Sequence, residues 1–100
     1  MPSTNIYGDL DQTRTNVAAP NVWTDVIIPQ GAKDTNLSIE GGATAFRVST
    51  SNLLNPANEA TFVPAGGSIV FEGTATQPIT IYVSTAAAPV VAILQYEDSQ

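Results

Sequence analysis

Asn36-Leu37-Ser38-Ile39-Glu40-Gly41-Gly42-Ala43-Thr44-Ala45-Phe46-Arg47-Val48-Ser49 is the stretch on which the fold turns. Successive side chains of a strand point to opposite faces, so Leu37 and Ile39 share one face, and Phe46 and Val48 share another with Arg47 opposite. Gly41-Gly42 offers a two-residue turn with free φ, and the expected arrangement is a hairpin in which Asn36 to Glu40 returns antiparallel as Ala43 to Ser49.

The same period of two extends in both directions. Val22 to Ile28 reads as a strand stopped by Pro29-Gln30-Gly31, and further strands are predicted at Thr61 to Val63, Ser68 to Glu72, Ile79 to Ser84 and Val90 to Tyr96. Pro78 and Pro89 stand at strand entrances, where a missing N–H is tolerated. Ser51 to Ala60, containing Asn55-Pro56-Ala57-Asn58, lacks alternation and reads as a loop with room for one helical turn. No stretch keeps helical spacing over three turns. About seven short strands at this spacing predict an all-β, single-domain antiparallel β-sandwich, jelly-roll-like in outline. The expected boundaries are an N-terminal arm over 1–13, the sandwich over 14–97 and a C-terminal tail over 98–100.

An internal echo accompanies this pattern. Ile28-Pro29-Gln30-Gly31 returns as Val63-Pro64-Ala65-Gly66, and Phe46-Arg47-Val48-Ser49-Thr50 as Ile81-Tyr82-Val83-Ser84-Thr85, both about 35 residues on. Two related β-units facing each other produce such a repeat, and so does coincidence among Thr- and Val-rich strands.

One hundred residues suffice for one core and not for two. Nine acids against Arg14, Lys33 and Arg47 leave a net charge of -6, with the cations scattered. Phosphate recognition needs clustered Lys and Arg, so nucleic acid and anionic membrane surfaces are excluded as partners. No apolar run approaches the roughly 20 residues of a membrane-spanning helix. Residues 1–9 lack the basic and apolar regions of a secretory signal, so the expected site of synthesis is the cytoplasm.

The chain has neither histidine nor cysteine, which removes the commonest general base, the strongest neutral-pH nucleophile and thiolate metal sites. The expectation is therefore no enzymatic activity, no catalytic residue, no cofactor and no metal. A glycosidase-type hydrolase would need two carboxylates about 5–10 Å apart in a concave site. Asp9-Leu10-Asp11-Gln12-Thr13 has the opening of a calcium loop, but Arg14 stands where the turn glycine belongs and Pro20 where the distal Glu belongs.

Trp23 falls opposite Val22, Val26 and Ile28, on a face with Asp25 and Ile27. A tryptophan so placed either covers a sheet edge or anchors a contact. The same alternatives hold for Tyr82, opposite in parity to Ile79, Ile81 and Val83, and for Tyr96. Tyr7 lies in the polar N-terminal stretch, which reads either as a tail or as an arm that orders on a neighbour. In the last strand Val91 and Ile93 fall on one side and Val90, Ala92, Leu94 and Tyr96 on the other, so both sides are apolar. A sandwich buries one face of each sheet, and the second apolar face must be covered by loops, by the arm or by another subunit. The candidate interface residues are Tyr7, Trp23, Ile27, Tyr82, Leu94 and Tyr96, and the expected state is a homo-oligomer.

Three features together, Ile28-Pro29-Gln30-Gly31-Ala32 with Val63-Pro64-Ala65-Gly66-Gly67, the Thr- and Ala-rich strands, and the closing Val90-Val91-Ala92-Ile93-Leu94-Gln95-Tyr96-Glu97, resemble the small head decoration or cement proteins of tailed bacteriophages. The resemblance implies a compact β-sandwich on the outside of the capsid, a trimer, the major capsid protein as partner and location in the virion after release from the host cytoplasm. Tail and fibre domains of virions share these features. The rival expectation is a carbohydrate-binding or adhesion module with Trp23 and the tyrosines as stacking platforms, which requires aromatics aligned on one sheet face or loop end.

Overall fold

The computed structural model describes residues 10–98. Eight strands form two antiparallel four-stranded sheets. Sheet A has the order β1-β8-β3-β6, with β1 Leu10–Val17, β8 Val90–Asp98, β3 Ala32–Ile39 and β6 Ser68–Thr74. Sheet B has the order β2-β7-β4-β5, with β2 Thr24–Ile28, β7 Ile79–Ser84, β4 Phe46–Ser49 and β5 Thr61–Val63. Nested pairing explains this order. β1 pairs with β8, β2 with β7, β3 with β6 and β4 with β5, so the chain is one long hairpin folded at the β4–β5 loop and rolled up. Rolling brings β8 onto β3 and β7 onto β4, which is the eight-stranded jelly roll.

The core is the inward set of both sheets. Val26, Ile28, Phe46, Val48, Val63, Ile81 and Val83 from sheet B meet Val17, Ala32, Leu37, Ile39, Ala92 and Leu94 from sheet A. Ile69, Phe71, Val90 and Tyr96 pack against this set from partly exposed positions. Apolar burial of this kind contributes roughly 25 cal/mol per Å² removed from water and is the main term holding the sheets together.

Several expectations need correcting. β3 and β4 are not a hairpin: they lie in different sheets, and Glu40–Gly42 is a short 3-10 turn that carries the chain across. Gly41 and Gly42 do adopt positive φ, 68° and 63°, but for another reason. A Cβ on Gly42 would sit 3.0 Å from the Cα of Gly66, so this crossing is pressed against the β5–β6 corner. β3 begins at Ala32, not Asn36, because Asp34 takes a left-handed φ of 50° in a β-bulge between Lys33 and Thr35. The extra residue reverses the alternation, placing Ala32 and Thr35 both inward, and Gly73 N–H donates to the Asp34 carboxylate across the bulge.

β1 begins at Leu10, so residues 10–13 belong to the sheet and not to an arm. Its segment Asp11–Asn16 is polar and only Val17 is deeply buried among its described side chains, so its place is secured by eight consecutive register pairs with β8. Asp11, Gln12 and Thr13 are extended there and cannot wrap a calcium ion. At the other end β8 runs through Asp98.

The internal echo has a structural counterpart. Ala32 N–H donates to Pro29 O at 3.1 Å and Gly67 N–H to Pro64 O at 2.9 Å, with Gly31 at φ 88° and Gly66 at φ 83°. Both are turns with a positive φ at the third residue, as a type II turn requires, and both carry the chain from sheet B to sheet A. The other echo pair, β4 and β7, are antiparallel neighbours paired at Val48↔Val83, the matching position of each copy.

Candidate functional site

The outer face of sheet B gathers three of the six sequence-predicted interface residues. β2 and β7 pair as Asp25↔Tyr82 and Ile27↔Thr80, so these side chains stand on the outer surface while Val26, Ile28, Ile81 and Val83 point inward. Trp23 precedes β2 with the same parity as Asp25 and is half-buried. Arg47 and Ser49 of β4 continue the surface, and Phe62 of β5 is opposite Arg47. Ile27 is 49% exposed and Phe62 54% exposed, both large apolar areas for a solvated strand.

The other three behave differently. Leu94, expected at an interface, is fully buried in the core, because the inward side of β8 is the one carrying Ala92, Leu94 and Tyr96. Tyr96 lies on that same inward side, packed against the core from a half-buried position. Tyr7 lies outside the described residues. The outward pair Val91 and Ile93 is flanked by the chain itself: Asn16 stands opposite Val91, and Arg14 and Ser38 flank Ile93 on its two sides.

The β4–β5 loop, residues 50–60, closes over part of the outer face of sheet B. Trp23 donates its indole N–H to Leu54 O at 2.8 Å, and Ser84 donates its hydroxyl to Pro56 O at 2.8 Å. Ser84 has outward parity yet is only 1% exposed, so the loop accounts for its burial. Asn55 organises the loop: its side-chain oxygen accepts from Ala57 N–H, and its carbonyl accepts from Glu59 N–H at 2.9 Å, one helical turn. The loop presents Leu53, 90% exposed, at its surface.

Arg47 and Phe62 are the residues that sequence reading missed as a site. The guanidinium lies 5.0 Å from the centroid of the Phe62 ring, and its Nη1 donates to Ala60 O at 3.5 Å. The available signal was parity, since Arg47 lies opposite Phe46 and Val48 in its strand and Phe62 precedes the inward Val63.

Beside Arg47 a cleft of about 180 Å³ opens, and a second of about 240 Å³ lies between Val48, Leu54, Ile69 and Phe71. Neither is lined by a carboxylate. A smaller one near Ile28 and Phe71 has Glu72 alone, so no two carboxylates meet in these clefts as a hydrolase would require. Among the described residues no group of three or more His, Cys, Asp or Glu side chains is placed to hold a metal ion, and no helix is long and apolar enough to cross a membrane. No family model, no curated protein and no solved structure matches the chain.

Proposed function

We propose that this chain is a non-catalytic structural protein of a virus particle, a jelly-roll subunit made in the host cytoplasm that attaches to the outside of an assembled phage head. Its partner in this reading is the major capsid protein, and it binds as a homo-oligomer, with a trimer favoured by the decoration-protein resemblance. The observation supporting it is the outer face of sheet B, which carries Trp23, Ile27, Phe62 and Tyr82 among the polar Asp25, Thr80, Arg47 and Ser49. Aromatic side chains with a few polar neighbours are the usual anchors of protein interfaces. The jelly roll is also a frequent architecture of capsid components, which is an argument by analogy of fold.

The mechanism is mass action. A protein that binds only the assembled shell stabilises it by the free energy of that binding, about 2.7 kcal/mol per site at a hundredfold excess over Kd. Co-sedimentation with capsids across a salt series tests it. Binding that survives high salt is expected, because attachment rests on apolar and hydrogen-bonded contact, and exposed ion pairs contribute only about 0–1 kcal/mol each. Absence of the chain from the pellet at every salt concentration refutes the proposal.

A carbohydrate-binding or adhesion module is the second reading, favoured by the placement of Trp23, Phe62 and Tyr82 on one outer face. Against it, the Arg47 guanidinium already takes one face of the Phe62 ring and the Trp23 N–H is engaged by Leu54. Retention on a glycan array without capsid binding would select this reading.

A further inference from the structure

We propose that the cleft beside Arg47 is a carboxylate-binding subsite, filled by an Asp or Glu side chain of the protein on which the outer face of sheet B docks. The identity of that carboxylate as a protein side chain rests on the reading above. The subsite itself rests on geometry.

Pairing between β4 and β7 stops at Arg47↔Ser84, and the cleft opens beyond that pair, between Thr44–Phe46 and Thr85–Ala86. Asn21, Pro56, Ala57 and Phe62 complete its walls. Two of its hydroxyls are committed to backbone carbonyls, Ser84 to Pro56 O and Thr85 to Ala87 O. The groups left for a ligand are therefore chiefly the guanidinium, with Asn21 and Thr44 beside it.

Arg47 is half-buried, and among the described residues its cation pairs with no acid; the one ion pair there is Arg14 with Glu40. Among the described residues one long contact to Ala60 O leaves most of its five N–H donors without a hydrogen-bond partner. Phe62 holds the planar group against its ring, which limits the rotamer freedom that a ligand contact would otherwise have to remove. A partly desolvated guanidinium fixed in this way is suited to bidentate recognition of a carboxylate. The cleft volume of about 180 Å³ and the net charge of -6 both select a small, singly charged group over a polyanion. A pair formed in such a cleft is screened less by salt than an exposed one, so the subsite is compatible with salt-resistant attachment.

The test is an NMR titration of the full chain with N-acetylglutamate α-amide, with glucuronate and chloride as comparison ligands. Saturable shifts are expected at the Arg47 side chain and at the amides of Thr44 to Arg47 and Thr85, with at least tenfold weaker binding in Arg47→Gln. If Arg47→Gln does not fold, Arg47→Lys serves instead: it keeps the charge, loses the planar fork and should weaken binding several-fold. No saturable shift in the wild type, or undiminished binding in the variant, overturns the subsite. Chloride matching the amide would show a generic anion contact, and tighter glucuronate binding would assign the cleft to acidic sugars; either overturns the proposal. Co-sedimentation separates the two layers of the argument. Wild-type attachment with equal attachment of Arg47→Gln overturns this inference alone, whereas failure of the wild type to attach overturns the proposed function while the titration still decides the subsite.

Discussion

The two outer faces of the sandwich are built on the same alternation and are chemically unlike. Sheet A presents Gln12, Arg14 and Asn16 from β1, Asn36 and Ser38 from β3 and Ser68 from β6, with Val91 and Ile93 set between polar neighbours and Val70 as the one strongly exposed apolar side chain among the described ones. Sheet B presents Ile27, Tyr82 and Phe62 among Asp25, Thr80, Arg47 and Ser49, with Trp23 beside them and a loop strapped across part of the surface. Both sheets need one apolar face to make the core, but nothing in the fold requires the second. Among the described residues the outward aromatic side chains, Trp23, Phe62 and Tyr82, belong to sheet B alone, and they are the reason sheet B is taken as the contact face.

The largest expected effect lies in the core common to both sheets. Leu94→Ala should destabilise the chain by about 2–5 kcal/mol, as expected for a fully buried leucine, whereas Ile93→Ala on the outward side of the same strand should cost well under half as much. Urea denaturation of the two variants measures the difference. Equal losses would mean that the inward and outward sides of β8 are wrongly assigned.

A second comparison uses charge on the two outer faces. Ile27→Asp or Phe62→Asp should weaken particle attachment tenfold or more with little change in Tm, while Val70→Asp on sheet A, 53% exposed in the folded chain, should leave attachment unchanged. Co-sedimentation and thermal melts of the same proteins read both effects. A stronger loss from Val70→Asp would move the contact face to sheet A.

The strap over sheet B offers a smaller effect. Ser84→Ala removes the hydroxyl that donates to Pro56 O, and Trp23→Phe removes the N–H that donates to Leu54 O; each should cost about 0.5–1.5 kcal/mol. Faster amide hydrogen exchange confined to residues 50–60 is the expected signature. On sheet A, Arg14→Gln or Glu40→Gln breaks an ion pair whose side chains are 51% and 46% exposed, and the loss should stay within about 0–1 kcal/mol in chemical denaturation.

The regular strands were legible because a period of two is written directly into their residues. The turns Pro29–Gly31 and Pro64–Gly66 were legible for a similar local reason, since their positive φ demands glycine. Asp34 hid the start of β3, because one bulged residue reverses the alternation and leaves Lys33-Asp34 looking like a loop. β1 was hidden because an edge strand with polar residues from Asp11 to Asn16 owes its place to backbone pairing with β8, and a backbone hydrogen bond has no side-chain signature. In β8 both sides are apolar, so parity divided Leu94 from Ile93 without telling which faced inward.

Local residue order was enough to set the all-β class, the sandwich, the parity of most strands and the grouping of Trp23, Ile27 and Asp25 on one side of theirs. Only the tertiary structure decided that Gly41-Gly42 crosses between sheets, that Leu94 belongs to the core, and that Arg47 and Phe62 meet beside a cleft. The physical reason is the range of the interactions. Alternation and turn conformation are set by residues within a few positions of one another, whereas the choice of facing sheet, and the approach of Gly42 to Gly66 or of the 50–60 loop to Trp23, depends on contacts between segments far apart in the chain.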